Sequence, residues 1–479
     1  MGPSSTSGGK PLGARVQTVR QLVPRVAALA SGRLAAAAFS AVWLLLAARL
    51  LDLSDFGDLS IILATTTVII SVSELGFQTA LGIHTAEHRH LEMRSLVGSL
   101  RRRLPASAVG ALLNAALYVV ATHDMRWQVP ALAAVSILCT PVYATILTSY
   151  RSLGLVRADA LNEVLSRILV LAMGTVLLLH GGGIIAAVGA YAAADAASAV
   201  VVAVRVGRKY VTKDARIPPV DLRLSATLPL ALVVIVLTVY NRLDTYLVAL
   251  FKGNEAAGLY SAAYRFLDAL TIPAIAAGAL VLSLTMTQGG RERLATLRRL
   301  AALAAALGVA VAVSGLFLAP RLLVLLYGKP FAPAGTCAIL LLLSAPPSFA
   351  AATVLPIVVP FNRARTFVTT TFVLGLNLVC NLFLIPLAGL NGAAIANLIA
   401  QLVLCAGIYR LASIQSGRES ASGPPSPPAA GGGSPPWSHE GTQPKLREIS
   451  PGGAATAPSD IPVSSARPRQ SAAGKGGLC

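Results

Sequence analysis

Charged residues are scarce in this chain: they make up 12% of its 479 residues, and aromatic residues only 5%. A soluble globular protein carries roughly 25% charged residues to cover its surface, so the composition excludes that class. Hydrophobic residues instead reach 55%, in repeated runs of about 20 residues, which is the length that spans a bilayer. The sequence therefore predicts an all-α polytopic membrane protein.

Paired cysteines and a large acidic loop are also missing. The five cysteines show no C-x-x-C spacing, and four of them lie in or beside apolar runs, so we expect neither a disulfide nor a metal site. No cofactor is expected either. The longest predicted outer loop, 320–335, contains no Asp or Glu, which argues against a membrane glycosyltransferase or polymerase with clustered acids. We therefore expect that this protein is not an enzyme.

The formal net charge of +19 comes largely from basic residues in short loops between apolar runs. The positive-inside rule explains such a distribution, so we attribute it to membrane topology and expect no nucleic acid partner. With a cytoplasmic N-terminus, the inside segments hold 24 Lys and Arg and the outside loops 4. This alternation favours twelve spans in the plasma membrane with both termini cytoplasmic. The predicted spans are 28–50, 57–82, 104–121, 129–150, 161–180, 183–204, 226–250, 256–285, 299–319, 336–360, 366–386 and 391–411.

The first six and the last six of these segments share local sequence features. Residues 56–60, after the first segment, resemble 257–261, after the seventh, and the alignment of Gly57 with Gly258 gives an offset of 201 residues. Because six is even, two such units have the same orientation, and parallel repeats of this kind build transporters with a substrate site between two lobes. The predicted domains are a basic cytoplasmic segment (1–27), an N-lobe (28–204), a basic cytoplasmic inter-lobe loop (205–225), a C-lobe (226–411) and a disordered Pro/Gly/Ser-rich cytoplasmic tail (412–479).

Four ionisable residues lie within the seventh and eighth predicted spans: Arg242, Asp244, Arg265 and Asp268. Charges inside a membrane are costly, so each is a candidate functional residue. At 1.5 Å per residue, all four lie about 9–16 Å from the outer ends of their helices, in one layer. Two interpretations are open: ion pairs such as Asp244–Arg265 fix the packing of the helices, or Arg242 or Arg265 faces a cavity and binds a substrate phosphate.

Other intramembrane charges are further candidates. Arg33 and Arg167 are candidates for substrate binding, although Arg33 has the alternative of extending to the membrane interface. Glu74 and Asp195 are candidates for coupling to a cation, with packing or pairing with an arginine as the alternative. Asp244 and Asp268 share this choice between coupling and ion pairing.

Five stretches of the chain, taken in order, carry a resemblance to a known family: 50–61, 74–81, 244–266, 326–342 and 377–401. In the third, Gly258, Tyr260, Ser261, Ala263 and Arg265 match a G-x-Y-S-x-A-x-R pattern position by position. Together the stretches resemble the polysaccharide and oligosaccharide flippases of the MOP superfamily. The resemblance implies two parallel six-helix bundles around a central cavity. It also implies alternating access that moves a lipid-linked oligosaccharide from the cytoplasmic to the outer leaflet, without covalent chemistry.

The main alternative is a cation-coupled multidrug or metabolite exporter of the same superfamily. Such a pump should have a carboxylate-rich cavity in the N-lobe, where only Glu74 and Asp195 serve. A major-facilitator carrier should show its G-x-x-x-D-R-x-G-R-[RK]-like loop after the second helix, and residues 82–94 do not. The expected partners are the bilayer and a lipid-linked oligosaccharide with its phosphate or pyrophosphate; cations and polysaccharide-assembly proteins are candidates.

Overall fold

The computed structural model describes residues 31–32, 34–88, 91–153, 155–209, 211–212, 224–285, 290–359 and 362–421. Nearly all of this part of the chain is α-helical, as the composition predicts. The helices of the first half are α1 (Leu34–Leu50), α2 (Leu53–Glu74), α3 (Phe77–His88), α4 (Met93–Thr122), α5 (Gln128–Ser152), α6 (Val156–Leu179) and α7 (Gly183–Lys209). Those of the second half are α8 (Leu224–Lys252), α9 (Asn254–Thr285), α10 (Gly290–Tyr327), α11 (Gly335–Leu343), α12 (Ala345–Val358) and α13 (Arg363–Ala421).

Within the described residues, eight helices are long and apolar enough to cross a membrane. The count is nine if the bent pair Lys329–Leu343 and Ala345–Val358, which contains α11 and α12, forms one span. The twelve predicted spans are compatible with this arrangement, because α13 contains two of them. Gly389, at the predicted boundary between those two, has φ 60° and ψ −136°, so the backbone breaks there. The number twelve stays a prediction.

Two helices differ from the predicted spans. The second predicted span is broken into α2 and α3, because Leu75 (φ 46°) and Gly76 (φ 77°) both adopt left-handed backbone conformations. The last helix continues to Ala421, ten residues beyond its predicted end at Leu411, so the start of the predicted tail is helical. The rest of the predicted tail, 422–479, lies outside the described residues.

The predicted inter-lobe loop, 205–225, is also partly structured. α7 extends into it as far as Lys209, and α8 begins at Leu224. Between them, strand β2 (Val211–Thr212) pairs in parallel with β1 (Leu91–Glu92), which lies between α3 and α4. The strand pair ties the loop to the first half.

The two halves pack against each other mainly through α2, which contacts α8 and α9. Their closest approach lies at the end of the bundle that holds the α1–α2 and α8–α9 turns, called here the predicted outer end. A Cβ on Gly258 would lie 3.2 Å from the Cα of Gly57, and one on Gly57 would overlap the carbonyl oxygen of Asn254. The two glycines that the repeat aligns therefore meet between the halves, and a side chain at position 57 has no room beside the Asn254 carbonyl.

Aromatic and polar contacts extend this closure. The Phe56 ring stacks edge-on against Phe331 at 5.4 Å between centroids and against Tyr327 at 6.4 Å. Arg49, at the end of α1, donates through Nε to the carbonyl oxygen of Leu326 at 2.7 Å, which satisfies a carbonyl in the last turn of α10. Asn254 donates to the carbonyl oxygen of Thr122 at 3.4 Å. The predicted outer end is thus closed in this structure.

Candidate functional site

Asp244 lies inside the second half and is only 3% exposed to solvent. The Tyr260 hydroxyl donates to Oδ2 at 2.9 Å, and the Asn381 side-chain amide donates to Oδ1 at 2.7 Å. Asn381 also donates to the carbonyl oxygen of Asn377, one turn earlier on α13, at 2.9 Å. Neutral donors from two other helices therefore hold this carboxylate, as a buried charge requires.

The ion pair between Asp244 and Arg265 that the sequence analysis gave as an example is not formed. The depth of both residues is consistent with a pair, but depth does not fix which way Arg265 points around α9. At about 100° per residue, Arg265 lies about 140° around α9 from Tyr260, the residue that faces Asp244. Arg265 therefore points away from the carboxylate.

The other candidate pair is present. Nη1 of Arg242 lies 3.4 Å from Oδ2 of Asp268, and the two side chains are 34% and 40% exposed. This geometry supports the ion-pair interpretation for these two residues. A guanidinium that already has a carboxylate partner is a weaker candidate for binding substrate phosphate.

Arg265 and Arg167 have no such partner. Neither side chain makes an ion pair or hydrogen bond with any residue that the structure describes, and Nε of Arg265 is buried. Arg167 lies on α6 and Arg265 on α9, yet the charges of both act on the hydroxyl of Tyr191 on α7. The edge of Tyr191 also packs on Trp43 of α1, with ring centroids 6.4 Å apart. One guanidinium from each half, without an ion-pair partner among the described residues, therefore lies within electrostatic range of Tyr191.

The remaining predicted site residues have separate surroundings. Asp195 accepts a hydrogen bond from the Tyr143 hydroxyl at 3.1 Å, and the charge of Arg167 acts on it. Glu74 ends α2 beside the charges of Arg103 and Arg151. Arg33 lies outside the described residues.

Arg103 is buried, although its sequence context predicts a solvent-exposed residue. It ends the run of three arginines at 101–103, which lies between the second and third predicted spans, but it belongs to α4 and is fully buried, with Nη1 donating to Oγ1 of Thr145. Its two neighbours in the run are exposed. A helix turns about 100° per residue, so a run of three arginines cannot keep one face, and the third turns inward.

A second group that sequence reasoning missed lies at the predicted outer end. Arg126, in the α4–α5 turn, contacts three carboxylates: Asp55 and Asp58 of α2, each at 2.9 Å, and Asp124. Tyr118 also donates to Asp124 at 3.1 Å. The three-residue spacing of Asp55 and Asp58, one helical turn, was the signal that could have revealed this cluster.

Replacing Arg126 with alanine should destabilise the protein by about 2 kcal/mol, because Asp58, whose side chain is 2% exposed, loses its cation. Thermal unfolding in detergent micelles measures the effect. Arg321→Ala is the matched control, since Arg321 is exposed and has no partner among the described residues. Adding Asp58→Asn should restore most of the loss, because no uncompensated buried charge then remains. Equal stability of the Arg126→Ala and Arg321→Ala variants would contradict this role.

The same cluster predicts a pH dependence. Burial alone would raise the pKa of Asp124, but hydrogen bonds from the side chain and backbone of Arg126, with its charge, outweigh burial and hold that pKa below its ordinary value. A lowered folded-state pKa stabilises the protein above the unfolded value of about 3.9, and this stability is lost as pH falls through the folded value. The Arg126→Ala variant should show less of this acid-dependent loss.

Comparison with known proteins gives one family and several solved structures. The family described as "Polysaccharide biosynthesis protein" matches residues 22–288. An MOP superfamily transporter from Pyrococcus furiosus has a TM-score of 0.60 at 14% identity, covering 83% of this chain and 96% of that one. The lipid II flippase MurJ in an inward closed conformation has a TM-score of 0.56 at 14% identity, covering 76% and 88%. No curated protein matches. At these identities, the structural likeness concerns the fold.

Proposed function

Because this chain belongs to the family of polysaccharide biosynthesis proteins, we propose that it moves a lipid-linked oligosaccharide from the cytoplasmic to the outer leaflet. The protein is a multi-pass membrane protein with the fold of MOP superfamily transporters. The proposal places it in the plasma membrane with both termini cytoplasmic, and the transport mechanism is alternating access of a site between the two halves.

The observation that carries the proposal is the pair of guanidinium groups, one from each half, that have no ion-pair partner among the described residues and whose charges both act on Tyr191. A lipid-linked sugar must bring a phosphate or pyrophosphate across the hydrocarbon layer. Arginine binds such groups in a bidentate, permanently charged geometry. Arg167 and Arg265 come from different halves, so a phosphate bound by both would bridge the surfaces that move apart during alternating access. Arg242, which is paired with Asp268, is not assigned this role.

Asp244 is the proposed coupling residue. A carboxylate inside a membrane protein that has only neutral partners is a natural place to bind and release a proton or another cation. Tyr260 on α9 and Asn381 on α13 both contact it, so a change in its charge alters the contacts of three helices at once. This gives a physical link between a cation gradient and the movement of the second half.

The test uses full-length protein in vesicles that contain a lipid-linked oligosaccharide, with and without a proton or sodium gradient. Wild-type protein should translocate the lipid, and one of the gradients should accelerate it. Asp244→Asn should keep gradient-independent translocation and lose the acceleration, because the amide keeps the shape but has no charge to exchange. Glu255→Gln removes an exposed carboxylate without a described partner and is the matched control. Absence of lipid translocation together with efflux of a cationic dye would favour the multidrug exporter.

A further inference from the structure

A polar cavity of about 230 Å³ lies between α5 and α6 of the first half. Its α6 wall carries Asn162, Glu163, Ser166 and Arg167. Spacings of three and four residues place these side chains on one face of the helix. None of the four makes a hydrogen bond or ion pair with another residue in the described part of the chain. The cavity therefore presents polar groups that a ligand could satisfy.

The two ends of the cavity differ in charge. At the end nearer the start of α6, Arg151 and Asp159 form an ion pair at 3.3 Å, so their charges cancel. About 12 Å further along the helix axis lies Arg167, at the middle of α6. Glu163, one turn before Arg167, is the remaining carboxylate of the lining. The cavity thus has an anion-binding guanidinium, Arg167, at the end near the middle of α6. Hydrogen-bonding side chains of Asn162, Glu163 and Ser166 line the wall that leads to it.

This arrangement selects a class of ligand. A cation alone would leave Arg167 without a partner, and an inorganic anion would leave Asn162, Glu163 and Ser166 without partners. A sugar phosphate satisfies both, since its phosphate binds a guanidinium and its hydroxyls donate to a carboxylate and exchange hydrogen bonds with an amide and a hydroxyl. The cavity is smaller than the roughly 300–1,000 Å³ of pockets that enclose drug-sized ligands, so it holds a single ring rather than an oligosaccharide.

We propose that this cavity binds the sugar ring next to the phosphate of the transported lipid, with the phosphate at Arg167 and the ring hydroxyls at Asn162, Glu163 and Ser166. The assignment rests on the proposed function, because it takes Arg167 as the phosphate ligand. It adds that the first half recognises the first sugar, so that specificity lies in these three side chains.

Binding of three soluble probes to purified full-length protein in detergent micelles tests the site: glucose 1-phosphate, inorganic phosphate and glucose. Wild-type protein should bind glucose 1-phosphate about tenfold or more tighter than either of the others. Glu163→Gln should weaken glucose 1-phosphate about tenfold and leave inorganic phosphate unchanged, because only ring hydroxyls contact Glu163. Arg167→Gln should weaken both. Glu255→Gln, an exposed acid elsewhere, should change neither.

Equal affinities of wild-type protein for glucose 1-phosphate and inorganic phosphate would overturn the site. So would an unchanged affinity for glucose 1-phosphate in Glu163→Gln and, if that variant does not fold, in Ser166→Ala. A polyprenyl phosphate-linked hexose in the micelles should displace glucose 1-phosphate; failure to do so would assign the cavity to soluble sugar phosphates and overturn its role in lipid recognition. If the protein translocates the lipid in vesicles but lacks this binding pattern, only the sugar-binding role of the cavity is refuted. If it shows the binding pattern but does not translocate the lipid, the proposed function is refuted.

Discussion

Replacing Arg265 with glutamine is expected to lower the rate of lipid-linked oligosaccharide translocation about 100-fold. Arg265 has no partner in the described part of the chain, and its Nε is buried, so its charge is available to a phosphate. A hydrogen bond to a charged group contributes about 1.5–3 kcal/mol, and each 1.36 kcal/mol changes a rate tenfold. Loss of a bidentate contact during the crossing of the bilayer therefore corresponds to about two orders of magnitude.

Two variants make this result specific. Arg242→Gln removes a guanidinium at similar depth that is already paired with Asp268, so its translocation rate should fall less than about tenfold. Arg265→Lys keeps the charge but loses the planar fork, and its rate should lie between those of the wild type and the glutamine variant. The amount of protein in the membrane and its thermal unfolding midpoint must match in all variants. Wild-type translocation by a folded Arg265→Gln variant would remove Arg265 from the site.

Replacing Gly57 with valine is expected to reduce translocation to the background of empty vesicles. A Cβ at this position overlaps the carbonyl oxygen of Asn254, and a backbone atom cannot move aside as the tip of a side chain can. The halves then cannot reach the closed arrangement seen at the predicted outer end. A transporter that works by alternating access passes through that closure in every cycle, so its loss stops transport even if the substrate site is intact.

The closure can be measured directly by thiol labelling. In a background in which the native cysteines are replaced by alanine, Asn254→Cys should react about tenfold faster with a membrane-impermeant reagent when Gly57→Val is also present. Gly375→Val is the matched control, because a Cβ at Gly375 meets no atom within 4 Å, and it should affect neither labelling nor transport. Labelling and transport that stay at control levels in Gly57→Val would show that the contact is not needed for closure.

The sequence was sufficient for the helical membrane architecture and for placing Arg242 and Asp268 in one layer. Depth follows from counting residues along a helix axis, and it was enough to bring Arg242 and Asp268 together. It was not enough for Asp244, since the direction of a side chain around its helix depends on how each helix is rotated against its neighbours. Tyr260 and Asn381, from helices far apart in the chain, took the place assigned to Arg265.

A similar limit applies to the residues that were missed. The run 101–103 is basic, and basic residues usually lie in cytoplasmic loops, so orientation rules alone assigned Arg103 to solvent. Arg103 is buried against Thr145 because α4 packs on α5 at this point. The contacts of Arg126 with Asp55 and Asp58 required knowing that the α4–α5 turn lies beside the start of α2. Both depend on long-range packing rather than on local pattern.

The meeting of Gly57 with Gly258 has a consequence for how the two halves recognise each other. When equivalent positions of two similar units touch, the local axis that relates the units passes between them. Each unit then contacts the other through the same surface patch. The contact is then isologous, as in a symmetric homodimer. Each half therefore contributes the same local surface to this contact.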